Sequence, residues 1–84
     1  MSDAEYDVLD ELYFVRPFAA LHQTLAWPEE QLKEELRRLY AKGWVQLFHP
    51  GTDNLVSENP DWNGGYRDYA YLATKAGLLA LHRR

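Results

Sequence analysis

Three leucines set into a run of charged residues, Leu32, Leu36 and Leu39, recur at helical spacing within Pro28-Glu29-Glu30-Gln31-Leu32-Lys33-Glu34-Glu35-Leu36-Arg37-Arg38-Leu39-Tyr40-Ala41-Lys42-Gly43-Trp44-Val45. The spacing predicts a helix with one apolar stripe and an otherwise polar surface. Pro28 suits the first helical position, where its missing N–H would have had no partner. Glu29 and Glu30 put negative charge at the positive end of the helix dipole. Gly43 ends the helix as a left-handed residue does, and Trp44-Val45 starts something new. A polar helix that runs through glycine straight into an apolar strand must bury its leucines and the strand together, which restricts the fold severely.

The rest of the chain is read around that stretch. Ser2 with Glu5 matches a capping box, predicting a first helix over about residues 3–15, with Val8, Leu12 and Val15, beside Leu9 and Tyr13, as its buried stripe. Asp3, Glu5, Asp7, Asp10 and Glu11 make its outer face strongly acidic, either as a solvated surface or as a dock for a basic partner. Arg16-Pro17 breaks this helix, because the residue before proline is pushed out of the α region. Pro17 then starts a short second helix from Phe18 to Gln23 or Thr24, with Phe18, Leu21 and Leu25 inward. The tight connection Leu25-Ala26-Trp27 makes helices two and three a helix-turn-helix.

After Gly43, Trp44-Val45-Gln46-Leu47-Phe48-His49 is predicted as a strand and Pro50 to Asn54 as a turn. Leu55-Val56-Ser57 is a candidate short strand, and Asn59 to Gly65 a looser turn. Tyr66-Arg67-Asp68-Tyr69-Ala70-Tyr71-Leu72 is the return strand, with its tyrosines placed for cross-strand pairing. Thr74 caps a last helix over Lys75–His82. Gly77 inside that helix costs about 1 kcal/mol relative to Ala, so close packing is expected to require it.

This order resembles that of a winged helix-turn-helix domain, an α+β fold with a three-helix bundle, a two- to three-stranded β-hairpin wing and a short C-terminal helix. Leu32-x3-Leu36-x2-Leu39-x3-Gly43-Trp44-Val45 looks like a recognition helix running into the first wing strand. Tyr69-Ala70-Tyr71-Leu72-Ala73-Thr74-Lys75-Ala76-Gly77 looks like the second wing strand and the start of the last helix. Both patterns are similar to small bacterial regulators of the multiple-antibiotic-resistance and phenolic-acid-decarboxylase repressor types. The resemblance spans nearly the whole chain as a single domain, residues 1–84, and implies a DNA-binding transcriptional regulator whose third helix enters the major groove. On that implication Gln31, Lys33, Arg37 and Arg38 would contact double-stranded DNA, with Arg67 as the wing's contribution, and binding would call for a homodimer.

Charge pulls the other way. The net charge is −4, and the wing carries Asp53, Glu58, Asp61 and Asp68 against Arg67 alone, so it gains little from counterion release at phosphates. On the third helix, the face opposite the leucines opens with Glu30 and Glu34, which either face a partner or form intrahelical pairs, Glu29 with Lys33 and Glu34 with Arg38. The alternative function is a winged-helix module that docks a protein through its acidic first helix, Glu30, Glu34, and the wing's Trp62 and Tyr66. Trp62 would instead fold back over the core in the plainer reading. Lys75, His82, Arg83 and Arg84 form the one basic cluster, suited to a helix C-terminus.

Other classes of activity are not expected. With no cysteine there is no disulfide, thiolate metal site or cysteine nucleophile. His22, His49 and His82 lack metal-ligand spacing, and neither a phosphate-binding glycine loop nor a nucleophile-and-base set is present. No enzyme activity, cofactor or membrane span is expected, and the acidic start of the chain points to a cytoplasmic protein.

Overall fold

A computed structural model describes residues 1–83. Its elements are α1 (Asp3–Asp10), β1 (Arg16–Pro17), α2 (Phe18–Leu25), α3 (Glu29–Ala41), β2 (Val45–Phe48), a 3-10 turn at Gly65–Arg67, β3 (Ala70–Ala73) and α4 (Lys75–His82). The three strands form one antiparallel sheet in the order β1-β3-β2, with Arg16 opposite Tyr71 and Leu47 also opposite Tyr71 on its other side. No helix among the described residues is long and apolar enough to cross a membrane.

The leucine stripe behaves as its spacing requires: Leu32, Leu36 and Leu39 are fully buried. They meet Val8 and Leu9 from α1, Leu12 just beyond it, Phe18 and Leu21 from α2, Val45 and Leu47 from β2, and Tyr71 from β3 in one core. Pro28 stands one position earlier than expected. Its backbone is extended (ψ 140°), so it caps α3 and Glu29 is the first helical residue.

The end of α3 is a complete Schellman motif. Gly43 sits at φ 77°, the Trp44 N–H donates to the Leu39 carbonyl at 2.9 Å, and the Gly43 N–H donates to the Tyr40 carbonyl at 3.0 Å. The start of α4 locks onto this turn. The Thr74 N–H donates to the Trp44 carbonyl at 2.9 Å and the Thr74 hydroxyl to the Gly43 carbonyl at 2.7 Å. A Cβ on Gly77 would fall inside contact distance of the Trp44 carbonyl oxygen, which is the close packing expected there.

Three elements depart from expectation. First, α1 stops at Asp10, not near residue 15. The Leu12 carbonyl accepts from the Ala73 N–H at 3.0 Å, so the chain leaves the helix to serve β3. Leu12 stays buried, but Tyr13, Phe14 and Val15 turn outward, and Val15 is 53% exposed. Second, the return strand begins at Ala70, because Gly65–Arg67 close into a 3-10 turn. Third, Leu55-Val56 makes only an isolated bridge, Phe48 with Leu55, while Val56 buries its side chain and donates its N–H to the Leu47 carbonyl at 2.8 Å. The wing therefore has an exposed tip at residues 49–55, after which the long connection folds back on the body through Val56, Trp62 and Tyr66.

Candidate functional site

The outward side of α3 and the loop beside it form the candidate site. Among the expected contact residues, Gln31, Arg37 and Arg38 are exposed on α3, and Lys33 is half-buried. Arg37, Arg38, Glu34 and Ala41 surround one shallow depression on the outer surface. A groove of about 400 Å3 runs between α3 and the folded-back loop, lined by Lys33 and Arg37 on one side and by Pro60, Asp61, Trp62 and Asn63 on the other.

Each cation of α3 carries a carboxylate from the preceding turn. Lys33 meets Glu30 at 2.6 Å, Arg37 meets Glu34 at 3.4 Å and Arg38 meets Glu35 at 2.7 Å. The intrahelical pairing foreseen in the sequence is present, but at i,i+3 and with other partners. Glu29 is not paired with Lys33, and Glu34 reaches Arg37 and not Arg38. Arg37 and Arg38 keep 60% and 63% of their side chains exposed. The exposed Arg37–Glu34 pair is worth only about 0–1 kcal/mol, so a phosphate can displace its carboxylate at little cost, whereas Arg38 covers a Glu35 side chain that is only 12% exposed.

Glu29 is spent on the wing. Its Oε2 accepts from the Tyr66 hydroxyl, from Arg67 Nε at 2.8 Å and from Arg67 Nη2 at 2.7 Å. The Arg67 guanidinium lies 4.9 Å from the centre of the Tyr66 ring, and Lys33 Nζ lies 5.7 Å from it. Arg67 first and Tyr66 second hold the Glu29 carboxyl below the ordinary carboxylate range, and Glu29 in turn raises the Tyr66 phenol. The lone basic residue of the wing is thus a clamp between the 3-10 turn and the first turn of α3. Sequence reasoning missed this because the partner lies on a different element; the only signal was the isolated Arg67 among acids.

The aromatic residues of the wing divide. Tyr66 lies in the core at 3% exposure, with its ring edge-on to Phe18 at 5.2 Å, and is not displayed at a tip. Trp62 is half-buried, edge-on to Tyr40 of α3 at 6.1 Å, so it folds back on the body while its free side forms part of the groove wall. Asp61 shapes that loop. Its carboxylate accepts from the N–H groups of Asn63, Gly65 and Gly64, which hold its acid below the usual value. Its own N–H donates to the Tyr69 hydroxyl at 2.9 Å. Glu30 stays exposed and Glu34 half-exposed, each facing its α3 cation. Of the basic cluster, Lys75, His82 and Arg83 are exposed on or beside α4, and Arg84 lies outside the described residues. No group of three His, Asp or Glu among the described residues is placed to hold a metal ion.

No protein-family model matches the chain, and no curated protein sequence matches it. Among solved structures it is similar to one titled "Multiple Antibiotic Resistance Repressor, MarR", with a TM-score of 0.76 and 20% sequence identity over 99% of this chain. The chain spans about half of that repressor, 53% of its length. At this identity the likeness establishes the fold: the chain is a winged helix with the α+β layout of that repressor.

Proposed function

We propose that this winged helix is a DNA-binding domain of a transcriptional regulator, reading duplex DNA with the outward face of α3. The observation that carries the reading is that face itself. It is polar, lies opposite the buried leucines, and presents Gln31, Arg37 and Arg38 beside an open groove. A helix of this width fits the major groove, where Gln pairs with adenine and Arg with guanine or phosphate, and Glu34 can accept from a cytosine amino group. Lys33 and Arg37, at the groove, are the candidates for seating a backbone phosphate. Arg67 contributes by holding the loop in place, since its guanidinium is occupied by Glu29.

The acidic wing makes the interaction economical in phosphates. Asp53, Glu58 and Asp68 are exposed along the connection, so the wing stands off the duplex and α3 supplies the contacts. Three phosphate-neutralising cations, Lys33, Arg37 and Arg38, give a salt slope of about −3 per chain bound. An anisotropy titration with mixed-sequence duplex at low salt is expected to give micromolar binding with that slope. The Arg37→Glu, Arg38→Glu variant is expected to lose binding and keep its fold. No binding of the intact chain at tens of micromolar, or unchanged binding by the variant, overturns the reading.

A further inference from the structure

The chain has three asparagines, Asn54, Asn59 and Asn63, all in the long connection between β2 and β3. Asparagine is thermolabile because the backbone nitrogen of the next residue can attack its carboxamide and expel ammonia. The reaction needs an N–H on that next residue, room for its nitrogen to approach, and a carboxamide free to turn. The structure separates the three asparagines on these conditions. Asn59 precedes Pro60, whose nitrogen carries no hydrogen, so it lacks the nucleophile. Asn54 precedes Leu55, whose branched side chain shields the nitrogen. Its own carbonyl accepts from the His49 N–H at 2.9 Å, beside the bridge of Leu55 to Phe48.

Asn63 meets every condition. It is exposed, and its carboxamide makes no hydrogen bond with the described residues. Gly64 follows it, without a side chain, and a Cβ at Gly64 would meet nothing within 4 Å. Asp61 accepts three backbone N–H groups, and that of Gly64 is held most loosely, at 3.3 Å against 2.9 Å for Asn63 and Gly65. So long a hydrogen bond restrains its nitrogen little.

We propose that Asn63-Gly64 is a site of spontaneous deamidation that changes the charge of the groove beside α3. The Gly64 nitrogen loses its proton to solvent base and bonds to Asn63 Cγ. The bond from Cγ to the side-chain nitrogen breaks, and that nitrogen takes a proton from water and leaves as ammonia. Water then adds to either carbonyl of the resulting succinimide. One of its two ring C–N bonds breaks, leaving aspartate or isoaspartate at position 63. Either product puts a carboxylate where a neutral amide stood. Asn63 lies on the groove wall with Asp61 and Trp62, across from Lys33 and Arg37. A second carboxylate there competes with phosphate for those two cations. That effect on DNA rests on the function proposed above, whereas the deamidation itself does not.

Mass spectrometry of the intact chain, held in mildly alkaline buffer and then digested with trypsin, tests the proposal. The fragment spanning residues 43–67 contains all three asparagines. It is expected to gain one mass unit, located at residue 63, faster at higher pH because the attacking nitrogen must be deprotonated. Gly64→Ala puts a methyl beside that nitrogen, in open space and at a backbone angle (φ −153°) that is not left-handed. It is expected to slow the gain severalfold with an unchanged circular dichroism spectrum. Asn63→Asp reproduces the new charge and is expected to weaken duplex binding by at least about twofold in Kd. A synthetic peptide of residues 59–69 sets the unstructured rate. A fragment that keeps its mass while this peptide converts fully, or a gain located at Asn54 or Asn59, overturns the site. Equal rates with and without Gly64→Ala overturn the mechanism. Duplex binding by the intact chain that Asn63→Asp leaves unchanged overturns the effect on the groove. Absence of duplex binding by either form overturns the DNA reading and leaves the mass gain standing.

Discussion

At the scale of single residues, carboxylates decide most of the molecule's electrostatic detail. Glu5 is only 7% exposed, takes the Ser2 N–H at 2.9 Å to complete the capping box, and pairs with Lys42 from the end of α3. Burial pushes its acid up, but the Lys42 ammonium and the Ser2 N–H outweigh burial and bring it below the ordinary value near 4.5. A depressed acid stabilises the fold above its unfolded value and loses that contribution as pH falls through the lowered one. Glu5→Gln keeps the capping geometry and removes the charge, so it is expected to cost about 0.5–1.5 kcal/mol at neutral pH. Urea titrations of the two proteins should differ at pH 7 and converge once the pH has dropped well below 4.5. The capping box is legible in Ser2 and Glu5, four positions of adjacent sequence. The Lys42 partner is not, because the meeting of α1 with the end of α3 is decided by the core. Arg67 teaches the same lesson, reading as a free wing cation until Glu29 is found beneath it.

Among the elements, those with local codes match the sequence best. The Leu32, Leu36 and Leu39 stripe, the stop at Gly43 and the Thr74 cap all rest on interactions within a few residues. The elements that depart are those whose ends are set by distant pairing: α1, cut short so that Leu12 can accept from Ala73, and the wing, folded back by Val56, Trp62 and Tyr66. The helix-turn-helix connection is instructive because it makes the turn without the glycine that such turns often contain. Ala26 takes up the left-handed conformation at φ 56° and donates its N–H to the His22 carbonyl at 3.0 Å. An L-residue in that region costs about 1–2 kcal/mol, part of which glycine gives back as unfolded-state entropy. Ala26→Gly is therefore expected to stabilise the domain by about 0.5–1 kcal/mol, read as a rise in the denaturation midpoint at constant m-value. A fall in the midpoint would mean that the Ala26 methyl makes a contact worth more than the strain.

For the whole molecule, one core carries everything, and a chain of this size has about 4–13 kcal/mol of net stability to lose. Leu36 is fully buried at the middle of the stripe, in the core that the helices and the sheet share. Leu36→Ala is expected to cost about 2–5 kcal/mol, measured by chemical denaturation, and a negligible loss would contradict the described core. The sheet adds a further property. β3 lies between β1 and β2, and both of its neighbours come from the segment of chain that precedes the wing. In topological terms the later segment is threaded into a slot made by the earlier one, and Ala73 and Thr74 fasten it to Leu12, Gly43 and Trp44. These contacts hold the two segments together independently of the peptide link through the wing, so a backbone nick among the exposed residues between Ser57 and Asn59 is expected to leave a non-covalent complex of two fragments that co-elute on size exclusion.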